Sequence, residues 1–293
     1  MDLRHMANLL GGDVVAGQIT CPGPGHGRKD RSLVIRFAPG APGGFVVHSF
    51  ANDPFDVCRE HVQRVLGLDS FTPPDRVADR RQERAVANQN RALAIWRASG
   101  DPSGSPVERY LERRGVLGPA KAAFGHAIKF HPTCPFGGKH VPCLVALVRN
   151  MKTDEPQAIH RTALTRDGEK AIVKGNSRLG LGPFAGGAIK LTRDENVTTC
   201  LGIGEGIETT LSLQLLREFG TSPIWAMLNA GGVASFPVLN GIEVLWIAVD
   251  HDPAGRSASL ECVERWLADG RETIEVVPNR AGADVNDSVR RHG

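Results

Sequence analysis

Residues 247–258 read "IAVDHDPAGRSA", and the fold turns on how this stretch is understood. An apolar run stops at Asp250, a second carboxylate follows at Asp252, and Pro253-Ala254-Gly255 leads into a helical pattern. Alone, an Asp-x-Asp turn reads equally well as a solvated cap, because Asp favours turns and helix N-termini. The surrounding sequence argues for more. Strand-like "TTCLGIGE" (198–205), helical "GIETTLSLQLLREFG" (206–220), strands "IWAMLNAGG" (224–232) and "EVLWIAVD" (243–250), helical "RSASLECVERWLADG" (256–270) and strand "TIEVVP" (273–278) follow one another. This alternation predicts a mostly parallel sheet flanked by helices. In open parallel sheets functional groups collect beyond the carboxyl ends of the strands. Glu205 ends one such strand and Asp250 another, so if the strands are neighbours Glu205, Asp250 and Asp252 converge.

Carboxylates so gathered repel one another unless a cation neutralises them, and hard oxygen ligands select Mg²⁺ or Mn²⁺ over zinc. "GADVNDSV" (282–289) adds Asp284, Asn286 and Asp287 after the last strand, candidates to complete a second metal position.

The 293 residues, 41% hydrophobic and 23% charged, suit an ordinary globular chain of one large or two to three small domains. No secretory leader pattern opens it, and its longest apolar runs, "CLVALV" (143–148) and "VLWIAV" (244–249), are strand-sized, so no membrane partner and a cytoplasmic location are expected. Six cysteines without CxxC spacing argue against a disulfide framework. The net charge of +3 is unevenly spread. Residues 1–193 hold 28 Lys and Arg against 17 Asp and Glu, residues 194–293 only 7 against 15. A basic front and an acidic back fit a polyanion-binding portion joined to a cation-binding one.

Four segments are expected: 1–75, a small β-hairpin and helix module; 76–104, a helical linker; 105–193, a basic mixed α/β subdomain; and 194–293, the α/β portion with the acidic residues. The whole is an α+β multi-domain chain. In the first segment "SLVIRF" (32–37) and "GFVVHSF" (44–50) read as strands around an "APGAPG" turn. "DPFDVCREHVQRVLGL" (53–68) reads as a helix capped by Asp53, with Phe55, Cys58, Val62 and Val65 on one face. "SPVERYLERRG" (105–115) predicts a helix with Ser105 and Glu108 as a capping box and Gly115 as its stop. "CLVALVRN" (143–150), "QAIHRTAL" (157–164) and "KAIVKG" (170–175) predict antiparallel strands. His126, His131 and His140 in "HAIKFHPTCPFGGKH" (126–140) are expected on a loop, and Trp225, Trp246 and Trp266 in the core.

"LGIGEGIETTLS" (201–212), "IAVDHDPAGR" (247–256) and "GADVND" (282–287) together resemble the Toprim domain, the metal-binding module of bacterial-type primases, topoisomerases and some nucleases. The resemblance implies that Glu205 serves in acid–base chemistry or metal binding and that Asp250 and Asp252 hold Mg²⁺. Upstream, "CLVALVRNMKTDEPQAIHRTAL" (143–164) is similar to the basic subdomain that precedes Toprim in replicative primases and their phage and mobile-element relatives, with Arg161 at the place of an arginine there. "EKAIVKGNSRLGLGPFAGGAIKL" (169–191) places Lys170, Lys174 and Arg178 where those primases face template and nucleotide. Residues 21–58 resemble the zinc ribbon of such primases. Cys21 and His26 are kept, but Ser49 and Asn52 stand where a cysteine pair belongs, and the spacing of His48 and Cys58 does not compensate, so zinc is not expected.

The resemblance implies a primase-like nucleotidyltransferase acting in DNA replication. It would make RNA primers on single-stranded DNA from ribonucleoside triphosphates, with Mg²⁺ or Mn²⁺ and a separate helicase partner. A Toprim nuclease and a non-catalytic nucleic-acid-binding accessory protein remain as alternatives, and Tyr110, the single tyrosine, is no credible topoisomerase nucleophile.

Overall fold

The computed structural model describes residues 2–38, 41–51, 53–68, 75–278, 282 and 284–289, with the side chains of 42, 75–81 and 289 left aside. It forms two compact units, Met1–Arg84 and Ala85–Gly293.

In the first unit α1 (Leu3–Leu9) precedes an antiparallel meander of β1 (Asp13–Val15), β2 (Gln18–Cys21), β3 (Leu33–Phe37) and β4 (Phe45–Ser49), and α2 (Phe55–Leu66) closes it. Strict alternation buries Leu33 and Ile35 of β3 and Phe45 and Val47 of β4, while Val46 and His48 face outward. α2 covers that inner face with Cys58, Val62 and Leu66, a four-residue spacing that keeps one side of a helix. Phe55 departs from expectation: it is 59% exposed. Asp53 also does not cap α2, whose N-cap is Pro54.

The second unit begins within α3 (Asp75–Ala98) and continues through α4 (Pro106–Arg113), α5 (Leu117–Lys121), β5 (Ile128–Phe136), β6 (Lys139–Asn150), β7 (Pro156–Ala163), β8 (Arg178–Leu181), β9 (Gly187–Lys190) and β10 (Cys200–Gly204). It ends with α6 (Ile207–Ser212), β11 (Ile224–Ala226), α7 (Ala230–Ala234), β12 (Val244–Ala248), α8 (Pro253–Ala268), β13 (Glu272–Val276) and α9 (Val285–Val289). One nine-stranded sheet runs β13-β12-β10-β11-β9-β6-β7-β8, with β5 also paired to β6. β13, β12, β10 and β11 are mutually parallel and the rest antiparallel, β9 joining the two parts. β10 and β12, inside the parallel half, are covered on both faces, which is why "LGIG" and "VLWIA" are apolar throughout, while β13 at the sheet edge is largely exposed. Leu201, Ile203, Leu245 and Ile247 pack on one side with Val233 of α7 and Cys262 and Trp266 of α8. Ala248 packs on the other with Leu211 of α6.

Five local expectations are corrected. "HAIKFHPTCPFGGKH" is a hairpin, not a loop, with Phe136 opposite Lys139 and Pro135 opposite His140. "KAIVKG" is not a strand: only the isolated bridges Leu164–Lys170 and Val173–Asn176 form, and Lys174 turns the chain at φ +49°. "IWAMLNAGG" is a strand only to Ala226: Met227 and Leu228 N–H still donate to Gly204 O and Glu205 O, but Leu228 takes φ +76° and Asn229 caps α7, its Oδ1 accepting from Gly232 N–H. The helix from 206 ends at Ser212, after a few residues of tighter winding the chain turns, and Phe219 packs edge-on to Trp246 at 5.4 Å. Ser105 caps α4 as expected, but Glu108 receives Gly104 N–H rather than completing a box with Ser105. No helix among the described residues is long and apolar enough to cross a membrane.

Trp266 is fully buried and stacks on Phe236 at 5.8 Å with the rings 3° from parallel. Trp266→Ala should lower the unfolding free energy by about 3–5 kcal/mol, measured by urea denaturation, because the cavity left between α8 and the sheet cannot collapse onto a stacked ring.

Candidate active site

β10 and β12 are parallel neighbours in register, Gly204 opposite Ala248, so the chain leaves both at the same sheet edge. Glu205 follows the first strand directly, and Asp250 follows the second after Val249. Asp252 lies one turn on as the N-cap of α8, Oδ1 accepting from Gly255 N–H at 2.8 Å. Gly255 is required by closeness: a Cβ there would stand 2.3 Å from the carbonyl oxygen of Asp250. The helix start and the strand end are thus pressed together, which fixes where Asp250 points. Asp284 precedes α9, receives Asp287 N–H at 2.8 Å and pairs with Arg114 at 3.7 Å.

Glu205, Asp250 and Asp284 line a narrow cleft of about 90 Å³ together with Glu208, Arg178 and His160. Burial, then repulsion from Glu205, Asp284 and Asp252, raises the Asp250 carboxyl to about 6. Burial and Asp252 likewise raise Glu205. Asp250 Oδ1 is buried with no hydrogen-bond partner. An orphaned carboxylate oxygen among like charges fits a hard divalent cation, with Asp250 as its first candidate ligand. Among the described residues no three His, Cys, Asp or Glu side chains are arranged to hold an ion. Asp252 uses one oxygen as a cap and Asp284 turns one toward Arg114. His251 is held by Pro278 O at 2.6 Å and by Arg256, as diverging neighbours on a turn would be.

Beside this acidic edge stands a group the sequence did not single out. Glu208, only 5% exposed on α6, accepts two hydrogen bonds from Arg178 Nη2 at 3.0 and 2.9 Å, pairs with Lys170 Nζ at 3.4 Å, and accepts from the Tyr110 hydroxyl. Burial opposes its charge, but Arg178, Lys170 and the Tyr110 hydrogen bond overcome that and hold the carboxyl down to about 2. The same surroundings push the Tyr110 hydroxyl far up, burial first and the Glu208 charge second. Lys170 and Arg178, two of the expected phosphate-facing cations, are therefore anchored at the cleft by one buried anion. No local pattern marks Glu208; the need for partners appears only once α6 is seen to be buried along its whole length.

Strand parity separates the other cations. Along β7, Ala158 packs on the α4 and α6 side of the sheet and Ile159 and Ala163 on the α3 side. His160 and Thr162 therefore face the cleft, which they line, while Arg161 points to the opposite face. His160 is kept neutral: burial and then Arg178 push it down to about 4. The period-2 pattern of "QAIHRTAL" already sets His160 and Thr162 on one face of the strand and Arg161 on the other. Lys174 sits on the turn at 173–176, its Nζ beside Gly138. Asn286 is fully buried and donates to Arg114 O at 2.9 Å and Ser212 Oγ at 3.0 Å; it braces α9 and does not line the cleft. Asp287 contributes its N–H to Asp284. The glycines at 180–187 serve packing: a Cβ on Gly182 would meet Gln157 O at 2.7 Å.

In the first unit Cys21 is fully buried and its thiol is pushed up to about 11 by burial. His26 lies between Asp30 at 2.9 Å and Asp53 at 3.1 Å, so both ring nitrogens face carboxylates. Ser49 donates to Asp53 at 2.7 Å, and Asn52 lies outside the described residues.

Residues 200–293 match the Toprim domain family, and residues 86–191 match DUF7146, a domain of unknown function. No curated protein matches the chain. Among solved structures, the primase fragment of the bacteriophage T7 primase-helicase protein is similar at 17% identity over 62% of this chain and 69% of that one, TM-score 0.44. The Aquifex aeolicus primase, comprising its zinc-binding and RNA polymerase domains, is similar at 12% identity over 96% and 77%, TM-score 0.42. A DNA primase domain from Pseudomonas aeruginosa is similar at 15% identity over 52% and 47%, TM-score 0.34.

Two substitutions test the geometry. Gly255→Ala should cost about 1–3 kcal/mol of stability, read by thermal denaturation, since the new methyl must displace the Asp250 carbonyl. Glu208→Gln should cost about 2–3 kcal/mol near neutral pH, less than a wholly buried pair because Arg178 keeps contact with water. A carboxyl whose pKa falls on folding stabilises fully above its unfolded value of about 4.5, and that stabilisation is lost as pH falls toward about 2. The gap between parent and Glu208→Gln should accordingly narrow as denaturation is repeated from about pH 5 down to about pH 2.

Proposed function

We propose that this chain, which carries a Toprim domain over residues 200–293, is a primase-type nucleotidyltransferase that joins ribonucleotides on a single-stranded DNA template. The observation that carries the reading is the meeting of opposite charges at one sheet edge. Glu205 and Asp250 line one wall of the cleft and Arg178, anchored with Lys170 on Glu208, stands among them. Phosphoryl transfer needs this pairing, because a triphosphate must be held by cations while its reacting centre is brought to a metal-binding acidic face.

Asp250 and Asp252 would hold the divalent cation, Mg²⁺ or Mn²⁺, with Asp284 beside them. Once bound, it supplies charge neutralisation at the phosphates and acidifies a coordinated hydroxyl. Arg178 and Lys170 orient the phosphates. Glu205, its carboxyl raised by burial, accepts the proton of the primer 3′-hydroxyl as that oxygen attacks the α-phosphorus. The bond from phosphorus to the bridging oxygen breaks and pyrophosphate leaves. Neutral His160 adds no charge to the cleft and keeps the field set by Glu208 and its cations. The template is expected along the basic residues of 105–193, and a separate helicase is the expected partner.

The experiment is incorporation of labelled ribonucleotides on single-stranded DNA with Mg²⁺ or Mn²⁺. The parent should extend, chelation should abolish extension, and Asp250→Asn should reduce it by about 10²-fold or more. Metal-dependent nicking of DNA without incorporation would replace this reading with a Toprim nuclease. Binding of DNA with neither activity would make the chain a non-catalytic accessory protein.

A further inference from the structure

Arg161 is 7% exposed on the α3 side of the sheet, away from the acidic cleft. Nη1 donates to Pro135 O and Nη2 to Gly180 O at 3.1 Å, the guanidinium lies 5.8 Å from the Phe136 ring centre, and Nε is buried without a partner. Among the described residues no carboxylate pairs with it. The buried Cys134 thiol also faces it, its pKa lowered by its Cys143 hydrogen bond and by the Arg161 charge. A guanidinium met by carbonyl dipoles, a ring and a thiol, with no carboxylate, is stabilised further by an anion that can approach.

A way in exists. Arg161 forms part of the wall of a cavity of about 510 Å³ between α3 and the β5–β6 hairpin, which Arg91, Lys139 and His140 also line and no Asp or Glu does. Lys174 adds a further ammonium at the hairpin tip, where a Cβ on Gly138 would stand 3.2 Å from its Nζ. Ala94, Ile95 and Leu181 make the remaining wall apolar. A cationic rim over an apolar wall, in a volume within the ~300–1,000 Å³ of small-molecule sites, suits a ligand with a phosphate at one end and a flat apolar base at the other.

We propose that this cavity is a second nucleotide-phosphate site, on the opposite face of the sheet from the acidic cleft. Arg91, Lys139 and the Arg161 charge take the phosphate, and Ile95 and Leu181 take the base. The phosphate belongs to a free nucleoside triphosphate or to a nucleotide unit of a bound strand. The site holds its ligand without metal, so it operates when the cleft is silent.

The test is equilibrium binding to the full chain in EDTA, which disables the cleft, with ATP, pyrophosphate and a 5′-phosphorylated ten-residue oligothymidylate as probes. At least one probe should bind, and Arg91→Ala/Lys139→Ala should weaken it roughly tenfold or more. Both residues are exposed, so this variant keeps the test valid even if Arg161→Met fails to fold. ATP or pyrophosphate binding lost in the variant assigns free nucleotide, and oligothymidylate binding alone lost assigns a strand contact. Binding equal in parent and variant, or no binding of any probe, overturns the site.

Discussion

The buried carboxylate of Glu208 ties together parts of the chain that local sequence would leave independent. It draws Tyr110 from α4, Lys170 from the loop after β7 and Arg178 from β8 onto one helix of the parallel half of the sheet. A lone charge at that depth would be expelled or neutralised; with two cations and a hydroxyl it stays ionised and well below the usual carboxylate range. The arrangement imposes a relation between the basic and acidic halves. Arg178 lines the cleft with its Nη2 on the Glu208 carboxylate, so the placing of the charge beside Glu205 and Asp250 is tied to that buried anion.

The sheet adds a second constraint. Because successive side chains alternate, β7 presents His160 and Thr162 to the cleft and Arg161 to the α3 side, and no relaxation of one residue can exchange them. The basic residues consequently divide between two places: Lys170 and Arg178 beside the carboxylates, Arg161 and Lys174 around the β5–β6 hairpin. Sequence proximity within twenty residues put all four in one group. The pleat separates them.

The N-terminal unit is held together at one corner by carboxylates gathered around a histidine. Asp30 and Asp53 flank His26, Ser32 and Ser49 donate to the carboxylates, and Gly23 N–H completes the Asp30 set. This network ties the loop after β2 to the start of α2, while Cys21 and Cys58 are absorbed into the core beneath as small apolar groups. Asp53, read from sequence as a helix cap, is spent on that network instead.

Sequence by itself determined the alternation of the parallel portion, because β10 and β12 are apolar throughout and α8 carries its own cap and stop, although the ends of α6 and β11 were set by the fold. It also set Glu205 and Asp250 just past the ends of two strands, but that the two strands are neighbours, and so bring both residues to one edge, was decided by the pairing of β10 with β12. Tertiary structure alone decided which cations meet them. The partners of Glu208 lie thirty to about a hundred residues away, and such pairings follow from how α4, α6 and β8 pack rather than from any local pattern. It also decided that Asn286 braces α9 instead of facing the cleft: "DVND" offers several polar side chains, and only the packing of the helix against Arg114 and Ser212 selects which one turns inward. "VDHDPAG" lies between these cases. Its carboxylates and turn are legible in the residues, but the aim of Asp250 is set by Gly255 pressed against its carbonyl, a contact that requires the strand and helix already in place.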